Sequence, residues 1–426
     1  MKRPSAERLY YALSFLLRMP TWVVMAVYLV RDLHLTPLQL VLMGTAMEAA
    51  VFLFEMPTGV VADTYSRRLS LIVGYLGMGL AWLALAFVTA PWLAIALWAV
   101  WGISYTFTSG AEEAWVADEV GGGNVGHVFL RAARVGQAGA VVGLVLQVAV
   151  GVASLRAGVA LGGVFAIAAG ISCILFMEEH GFRQRPREER FSPVREMQTT
   201  AAAGARYARA APVILLLIAV AVFMGASSEA FDRLKEAHFL RDVGLPAIGS
   251  LSPVVWFGLF YLVAMLNAFI GTTLLIRRVE RRGLATISTS LLCCAGFEFV
   301  AMLVFALAWS PWVAVAGVLG VFLARDLAGP LYTIWLNDQI TDSRVRATVF
   351  SITGQGDAVG QAAGGPVLGV IGNAWGIRAA LAAGAFAIVP ALGLFGRALG
   401  HHGAEPELDD LPQRVELPVA ATITEA

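Results

Sequence analysis

The stretch Glu55-Met56-Pro57-Thr58-Gly59-Val60-Val61-Ala62-Asp63-Thr64-Tyr65-Ser66-Arg67-Arg68 runs from one long apolar segment, 38–61, into another, 69–89. Each segment reaches the ~20 residues that a bilayer crossing needs. The polar break between them is a single short turn, so the two segments are antiparallel neighbours. Its paired arginines hold that turn on one face of a membrane. The same unit repeats along the chain, with spans expected at 9–30, 38–61, 69–89, 92–115, 128–151, 156–177, 212–234, 250–275, 286–308, 312–335, 347–371 and 377–398. Hydrophobic residues make up 58% of the sequence and charged residues 14%, against roughly a quarter charged in soluble domains. The expected architecture is an all-α membrane protein of twelve transmembrane helices in two six-helix bundles.

Orientation follows from the cations. Lys2, Arg3, Arg8, Arg67, Arg68, Arg277, Arg278, Arg281, Arg282, Arg344 and Arg346 all fall on one side of a twelve-span chain, together with the arginines of 183–209. Positive charge marks the cytoplasm, which predicts a plasma (inner) membrane protein with both termini cytoplasmic. The first apolar run, Tyr10–Val30, lacks a small-residue cleavage site behind it and reads as a retained helix. Tryptophans at span edges (Trp92, Trp309, Trp312) suit the headgroup level.

Residues 178–211 are charged and poor in apolar groups, and they divide the chain into equal sets of spans. The expected domains are an N-terminal bundle over 1–178, a cytoplasmic linker over 179–211, a C-terminal bundle over 212–399 and a disordered tail over 400–426. Traces of duplication agree. Trp115-Val-Ala-Asp118 ends span four as Trp335-Leu-Asn-Asp338 ends span ten, and Gly136-Gln137 of span five recurs as Gly354-Gln355 of span eleven. Inverted or parallel repeats of this kind place substrate between the halves.

The turn quoted above resembles the signature loop of the major facilitator superfamily: a glycine (Gly59), an aspartate four residues on (Asp63), and a paired basic end (Arg67, Arg68). Thr64 and Ser66 stand where the pattern has a basic residue and a glycine. Ser109-Gly110-Ala-Glu112-Glu113-Ala114-Trp115-Val-Ala-Asp118 and Arg346-Ala-Thr348-Val-Phe-Ser351 look like segments of the bacterial drug-efflux-like members, including tetracycline- and macrolide-efflux-like proteins. The resemblance implies a proton-coupled antiporter exporting a small lipophilic compound by alternating access, acting as a monomer. Uptake of a nutrient or organic anion by symport or uniport is the alternative. The glycines Gly136, Gly139 and Gly143 of span five lack the proline of the exporters' motif, while Gly360, Gly364, Gly365 and Pro366 carry one in span eleven.

Charges inside spans cost about 2.5–3.5 kcal/mol on insertion scales and point to function. Proton-coupling candidates are Glu112, Glu113, Glu48, Glu55 and Asp326. Adjacent helix positions diverge by about 100°, so one of Glu112 and Glu113 faces the cavity and the other pairs elsewhere. Arg18 is expected to neutralise an acid of span two or four. Candidates for the substrate cavity are Arg18, Trp22, Tyr105, Trp256, Tyr261, Asn267, Glu298, Arg325, Tyr332 and Asp357, where aromatic rings suit a lipophilic cation. The cytoplasmic gate is assigned Gly59, Asp63, Arg67, Arg68, Asp118, Arg131, Arg134, Asp338 and Arg346, with Gly59 permitting close helix approach. Glu229 and Asp232 are expected at a solvated rim or outer gate, with proton coupling as the lesser alternative. Cys173, Cys293 and Cys294 read as small buried hydrophobes. No phosphate-binding loop, metal motif, nucleophile elbow or basic nucleic-acid face is present, so the sequence implies no cofactor, no metal, no enzyme and no nucleic-acid partner. The partners it implies are a small-molecule substrate, protons and the lipid bilayer.

Overall fold

In the computed structural model, residues 5–20, 22–121, 125–182, 212–282, 285–338 and 346–400 are described. The first half comprises α1 (Ala6–Arg18), α2 (Trp22–Arg31), α3 (Pro37–Thr64), α4 (Arg67–Leu85), α5 (Pro91–Thr106), α6 (Ala111–Val120), α7 (Val125–Ala153) and α8 (Leu155–Phe176). The second comprises α9 (Pro212–His238) with a π-helical extension Phe239–Val243, α10 (Pro253–Arg282), α11 (Ala285–Ala306), α12 (Pro311–Asp338), α13 (Arg346–Trp375) and α14 (Ile377–Gly400). Eleven stretches among the described residues are long and apolar enough to cross a membrane. The twelfth span is α13, which is long enough but carries Gln355, Asp357, Gln361 and Asn373. It packs against α9, α14 and α3, where those side chains find protein and not lipid.

Local chemistry sets the helix ends. Pro37, Pro91, Pro253 and Pro311 each open a helix, where a missing N–H costs nothing. Thr36 and Gln39 form a reciprocal capping box at α3. Two expected spans are broken. Span one stops at Arg18, before Pro20, and resumes at Trp22, because proline cannot continue the preceding turn. Span four breaks at Phe107–Gly110, where Gly110 adopts φ 72°, a conformation that suits glycine.

Glycine notches join the helices in the same way in both halves. The Cα faces of Gly139 and Gly143 on α7 lie directly on the backbone of Phe15 and Met19 of span one. Gly360 and Gly364 on α13 lie on Val222 and Ala226 of α9. This equivalence is the three-dimensional form of the repeat. Gly59, by contrast, faces open space, so the close approach expected there does not occur.

The apolar core shows how the halves meet. One cluster is continuous across both, joining Val24, Tyr28 and Val41 to Phe231, Leu234, Phe257 and Phe305. Toward the arginine-rich end it gives way to two separate clusters, one around Tyr75 and Trp115 and the other around Leu291 and Trp335. The closed end is clasped by hydrogen bonds between halves. Arg241 Nη2 donates to the Leu35 and Val30 carbonyls at 2.8 and 3.3 Å, and the Leu38 N–H donates to Asn373 Oδ1 at 3.0 Å. Trp92, Trp309, Trp312 and Trp375 are exposed at helix ends, as a headgroup belt requires.

At the arginine-rich end Arg67 Nη1 donates to the Ala114 carbonyl at 2.9 Å and pairs with Asp118, tying α4 to α6. Asp63 stands 3.9 Å from the same guanidinium. The carboxylate at the start of α4 is that of Glu179, which accepts from Ser66 Oγ and the Arg67 N–H, both at 2.6 Å. Ser66, which departs from the family pattern, is therefore the N-cap of α4 and the anchor of Glu179. Glu119 likewise accepts from the His180 and Gly181 N–H groups. The segment 179–182, expected to begin the linker, is thus bound to the first half. Arg131 and Arg134 are exposed and form no ion pair among the described residues. The side chains of Asp338 and Arg346, and the segments 183–211 and 401–426, lie outside the described residues. Cys173 is buried, but Cys293 is exposed.

Because a Cβ on Gly143 would meet the Met19 backbone, Gly143→Ala lowers the thermal unfolding midpoint in detergent. Gly59→Ala leaves it unchanged.

Candidate functional site

The C-terminal part of α9 reads Glu229-Ala-Phe-Asp232-Arg233-Leu-Lys235-Glu236, with charges at spacings of three and four that share one helix face. The sequence reading placed this segment at a solvated rim. The structure corrects that: the span continues to Val243 through the π turn, which carries the cluster two turns deeper. Glu229 is 1% exposed and accepts from Arg233 Nε at 3.1 Å. The Arg233 guanidinium lies 5.8 Å from the ring centre of Trp22 in the other half. Gly44 of α3 presses against both charged side chains, and any Cβ there would collide with them.

A second set of charges joins three helices of the second half. Arg325 of α12 donates through Nε to Glu298 of α11 at 2.7 Å and through Nη1 to Asp232 of α9 at 3.0 Å. Its guanidinium also stands 4.9 Å from the ring centre of Phe231. Glu298 is 2% exposed. Lys235 Nζ lies 3.4 Å from Glu236 and 3.9 Å from Asp232.

Beside this bridge is a cavity of about 580 Å³. Val220, Met224, Leu291, Tyr332, Phe350 and Phe395 form apolar walls, and Ser228, Glu298, Arg325 and Asp357 supply polar groups. Asp357 of α13 accepts from Gln361 Nε2 at 2.7 Å, and no cation contacts it among the described residues. Glu48 of α3 approaches from the other half, within the electrostatic reach of Arg233, Asp357 and Glu55. Charge in the cavity and at its edge is therefore net acidic. Pockets with apolar walls and a few convergent polar groups are the usual form of a small-molecule site.

Residues 9–354 match the profile of the Major Facilitator Superfamily. The chain belongs to this superfamily. A curated relative, the uncharacterized MFS-type transporter YxaM of Bacillus subtilis (strain 168), is 30% identical over 94 residues, 22% of this chain and 24% of the relative. The match thus spans about a quarter of that protein's length. Among solved structures, the nucleoside transporter NupG superposes with a TM-score of 0.70 at 13% identity, covering 93% of this chain and 98% of that one. The peptide transporter POT in complex with sulfate gives 0.72 at 15% identity, covering 93% and 96%. At such identities the likeness is one of fold. Fold and family together make the chain a multi-pass membrane transporter.

Of the residues singled out in the sequence of this superfamily member, Glu298, Arg325, Tyr332 and Asp357 meet at the cavity, with Glu48 opposite. The rest lie apart. Glu112 accepts from Tyr75 Oη at 2.6 Å and is turned between α4 and α6, while Glu113 is exposed. Glu55 is exposed and accepts from Ser109 Oγ at 3.3 Å. Arg18 is exposed beside Gly136 and forms no ion pair within 4 Å among the described residues, but it acts through space on Glu112 of span four. As the last residue of α1 it also lies at the negative end of that helix's dipole. Asp326, Tyr261 and Asn267 are outside the cavity lining. Trp256 is buried between Phe260 and Trp312 at the closed end. Trp22 and Tyr105 belong to an aromatic column with Trp82, Trp98 and Trp101, centroids 4.9–6.4 Å apart. Sequence reasoning missed Ser228, Gln361, the burial of Glu229 with Arg233 and the ion pair of Asp232 with Arg325. The repeated three-and-four spacing on α9 was the available signal.

Removing one member of a buried ion pair costs about 3–5 kcal/mol, because the other is left unneutralised. Arg325→Gln is therefore strongly destabilising in thermal unfolding. Adding Glu298→Gln restores much of the loss, since the half-exposed Asp232 keeps Lys235 nearby.

Proposed function

We propose that this transporter is a proton-coupled antiporter that exports a small lipophilic, cationic compound by alternating access of its two halves. The observation that carries this reading is the apolar cavity with Asp357 on its wall, an acid that meets an amide and, among the described residues, no cation at ion-pair distance. A largely desolvated carboxylate that forms no ion pair among the described residues, with Arg325 acting on it only through space, has two ways to be neutralised, an organic cation or a proton. The two exclude each other at one position, and that exclusion is the minimum chemistry of antiport. In this scheme deprotonated Asp357 holds the cation against the walls of Tyr332, Phe350 and Phe395, and protonation releases it. Glu48, on the other half, shares the acidic field and makes the exchange sensitive to how closely the halves approach.

The single continuous core at one end and the divided cores at the other fit a state open toward the arginine-rich side. By the distribution of arginines, that side is the cytoplasm. Glu112, one of the acids the sequence favoured, is secured by Tyr75 away from the cavity and acts here as a structural hydrogen-bond acceptor.

A second reading has one observation in its favour. Arg325 Nη2 is buried without a hydrogen-bond partner at the cavity wall, an arrangement that would receive the carboxylate of an organic anion during uptake. A peptide or nucleoside substrate, as in the proteins of similar fold, would use the same wall.

Reconstitution in liposomes with an imposed pH gradient and a trapped pH-sensitive dye tests both readings. A lipophilic cation from a panel is expected to trigger proton release in the wild type. Asp357→Asn is expected to abolish it and Glu112→Gln to keep it above half. Proton movement triggered only by organic anions, and surviving Asp357→Asn, would replace antiport with the uptake reading.

A further inference from the structure

The far end of α9 carries a buried histidine that none of the chemistry above uses. His238 is 0% exposed. Its Nε2 lies 3.0 Å from the Phe305 carbonyl oxygen, and its Nδ1 lies 3.0 Å from Asp242 Oδ2. A carbonyl oxygen only accepts, so Nε2 must carry a hydrogen. A neutral imidazole then presents a lone pair at Nδ1, and a carboxylate presents lone pairs toward it. Contact at 3.0 Å requires one more hydrogen between them, held as imidazolium with carboxylate or as imidazole with carboxylic acid. Whichever atom holds it, the pair contains one proton beyond its neutral-plus-carboxylate form.

We propose that the His238–Asp242 pair is a proton-binding site, and that its proton holds shut the end of the molecule where the two halves meet. The ligand is the proton itself, and the site is distinct from the cavity, whose lining includes neither residue. Three features of its position support the assignment. First, the pair staples the π turn Phe239–Val243 to the end of α11, since Phe305 is the last residue but one of that helix. Second, the neighbouring Arg241 of the same turn makes the hydrogen bonds to the Leu35 and Val30 carbonyls of the other half. Third, Asp242 is 27% exposed, which gives the proton a route to solvent from the closed end.

Charged groups on the elements packed against α9 and the turn include Glu48 and Glu55 of α3, Asp357 of α13 and Arg378 of α14. α9 itself carries Lys235 and Glu236, which pair with each other. The turn itself adds Arg241, which donates to the two carbonyls and also acts through space on Asp242, and α2 contributes Arg31 at its end. The lone charge of α11 is Glu298, bound to Arg325. The first charged residue of α10 is Arg277, and that of α12 is Arg325, both far along their helices from the closed end. The ring of His238 otherwise meets the edge of Phe305, centroids 4.9 Å apart.

Loss of the proton sets lone pair against lone pair, frees the turn from α11 and removes the support that aims Arg241 across the seam. Rising pH on that side is therefore expected to open the closed end, and falling pH to shut it. The inference rests on the alternation of the two halves, but not on the identity of the cargo.

The test places spin labels at Asp32→Cys and Leu251→Cys, both exposed at the closed end, in a background with Cys173, Cys293 and Cys294 changed to Ser. Distance distributions are read in lipid nanodiscs, without substrate, across about pH 5 to 9. In the otherwise native chain the long-distance population is expected to grow with pH as a single-proton transition. Asp242→Asn is expected to stay closed throughout, because the introduced amide donates to Nδ1 and satisfies the ring with no extra proton. His238→Gln is expected to lose the pH response as well, whatever its mean distance. A flat profile in the parent chain, or an unchanged transition in either variant, would overturn the proposal. Since no substrate is present, failure here leaves the antiport reading standing, and a failed transport assay leaves this site standing.

Discussion

Arg325 sits where no single charge can remain alone. It reaches Glu298 on one neighbouring helix and Asp232 on another, and it covers the face of Phe231. In a membrane protein the surrounding lipid offers none of these acids an alternative partner. The three helices carrying them are therefore fixed in mutual rotation by the requirement of neutrality, and the cavity next to them inherits its shape. Glu229 and Arg233 extend the same constraint one turn along α9 to the seam with the first half. There Gly44 leaves room for them and Trp22 covers the guanidinium.

Helix packing in lipid lacks the drive that water gives to apolar association, so close backbone approach matters more than side-chain bulk. The matched notches, Gly139 and Gly143 on span one, Gly360 and Gly364 on span seven, provide that approach at equivalent places in the two halves. Between the halves, the contact is made by α2, α3 and α7 against α9, α10 and α13. The hydrogen bonds of Arg241 and Asn373 confine that contact to one end. A seam built of a few polar clasps over a shared apolar cluster is a weaker junction than the glycine-notched packing within each bundle. That division of rigidity is what alternating access requires.

The fold was legible to a large degree because hydropathy in a membrane chain is a one-dimensional quantity. Runs of about 20 apolar residues can do little except cross a bilayer, and the expected spans agree with the observed helices at most ends. The departures have local causes: Pro20 broke span one, Gly110 turned span four, and the π turn lengthened span seven. The last of these displaced the reading of the site. With span seven ending near 234, Glu229 and Asp232 fell at a rim; with it ending at Val243, they are at the centre of the molecule. Glu112 and Glu113 attracted interest as adjacent acids in an apolar run, yet one is held by Tyr75 and the other is exposed.

By itself the sequence determined the twelve helices, the duplication, the superfamily and the arginine-rich face, since each depends on composition and spacing along the chain. It also named Arg325, Glu298 and Asp357, because a charge within an apolar run stands out without reference to anything else. Only the tertiary structure decided which charges neutralise each other, which acid is left facing the cavity, and that Glu179 is the carboxylate at the start of α4. Those are properties of pairs of residues far apart in the chain, and a carboxylate's role is set by the distance to its nearest cation, a quantity that no span-by-span reading contains.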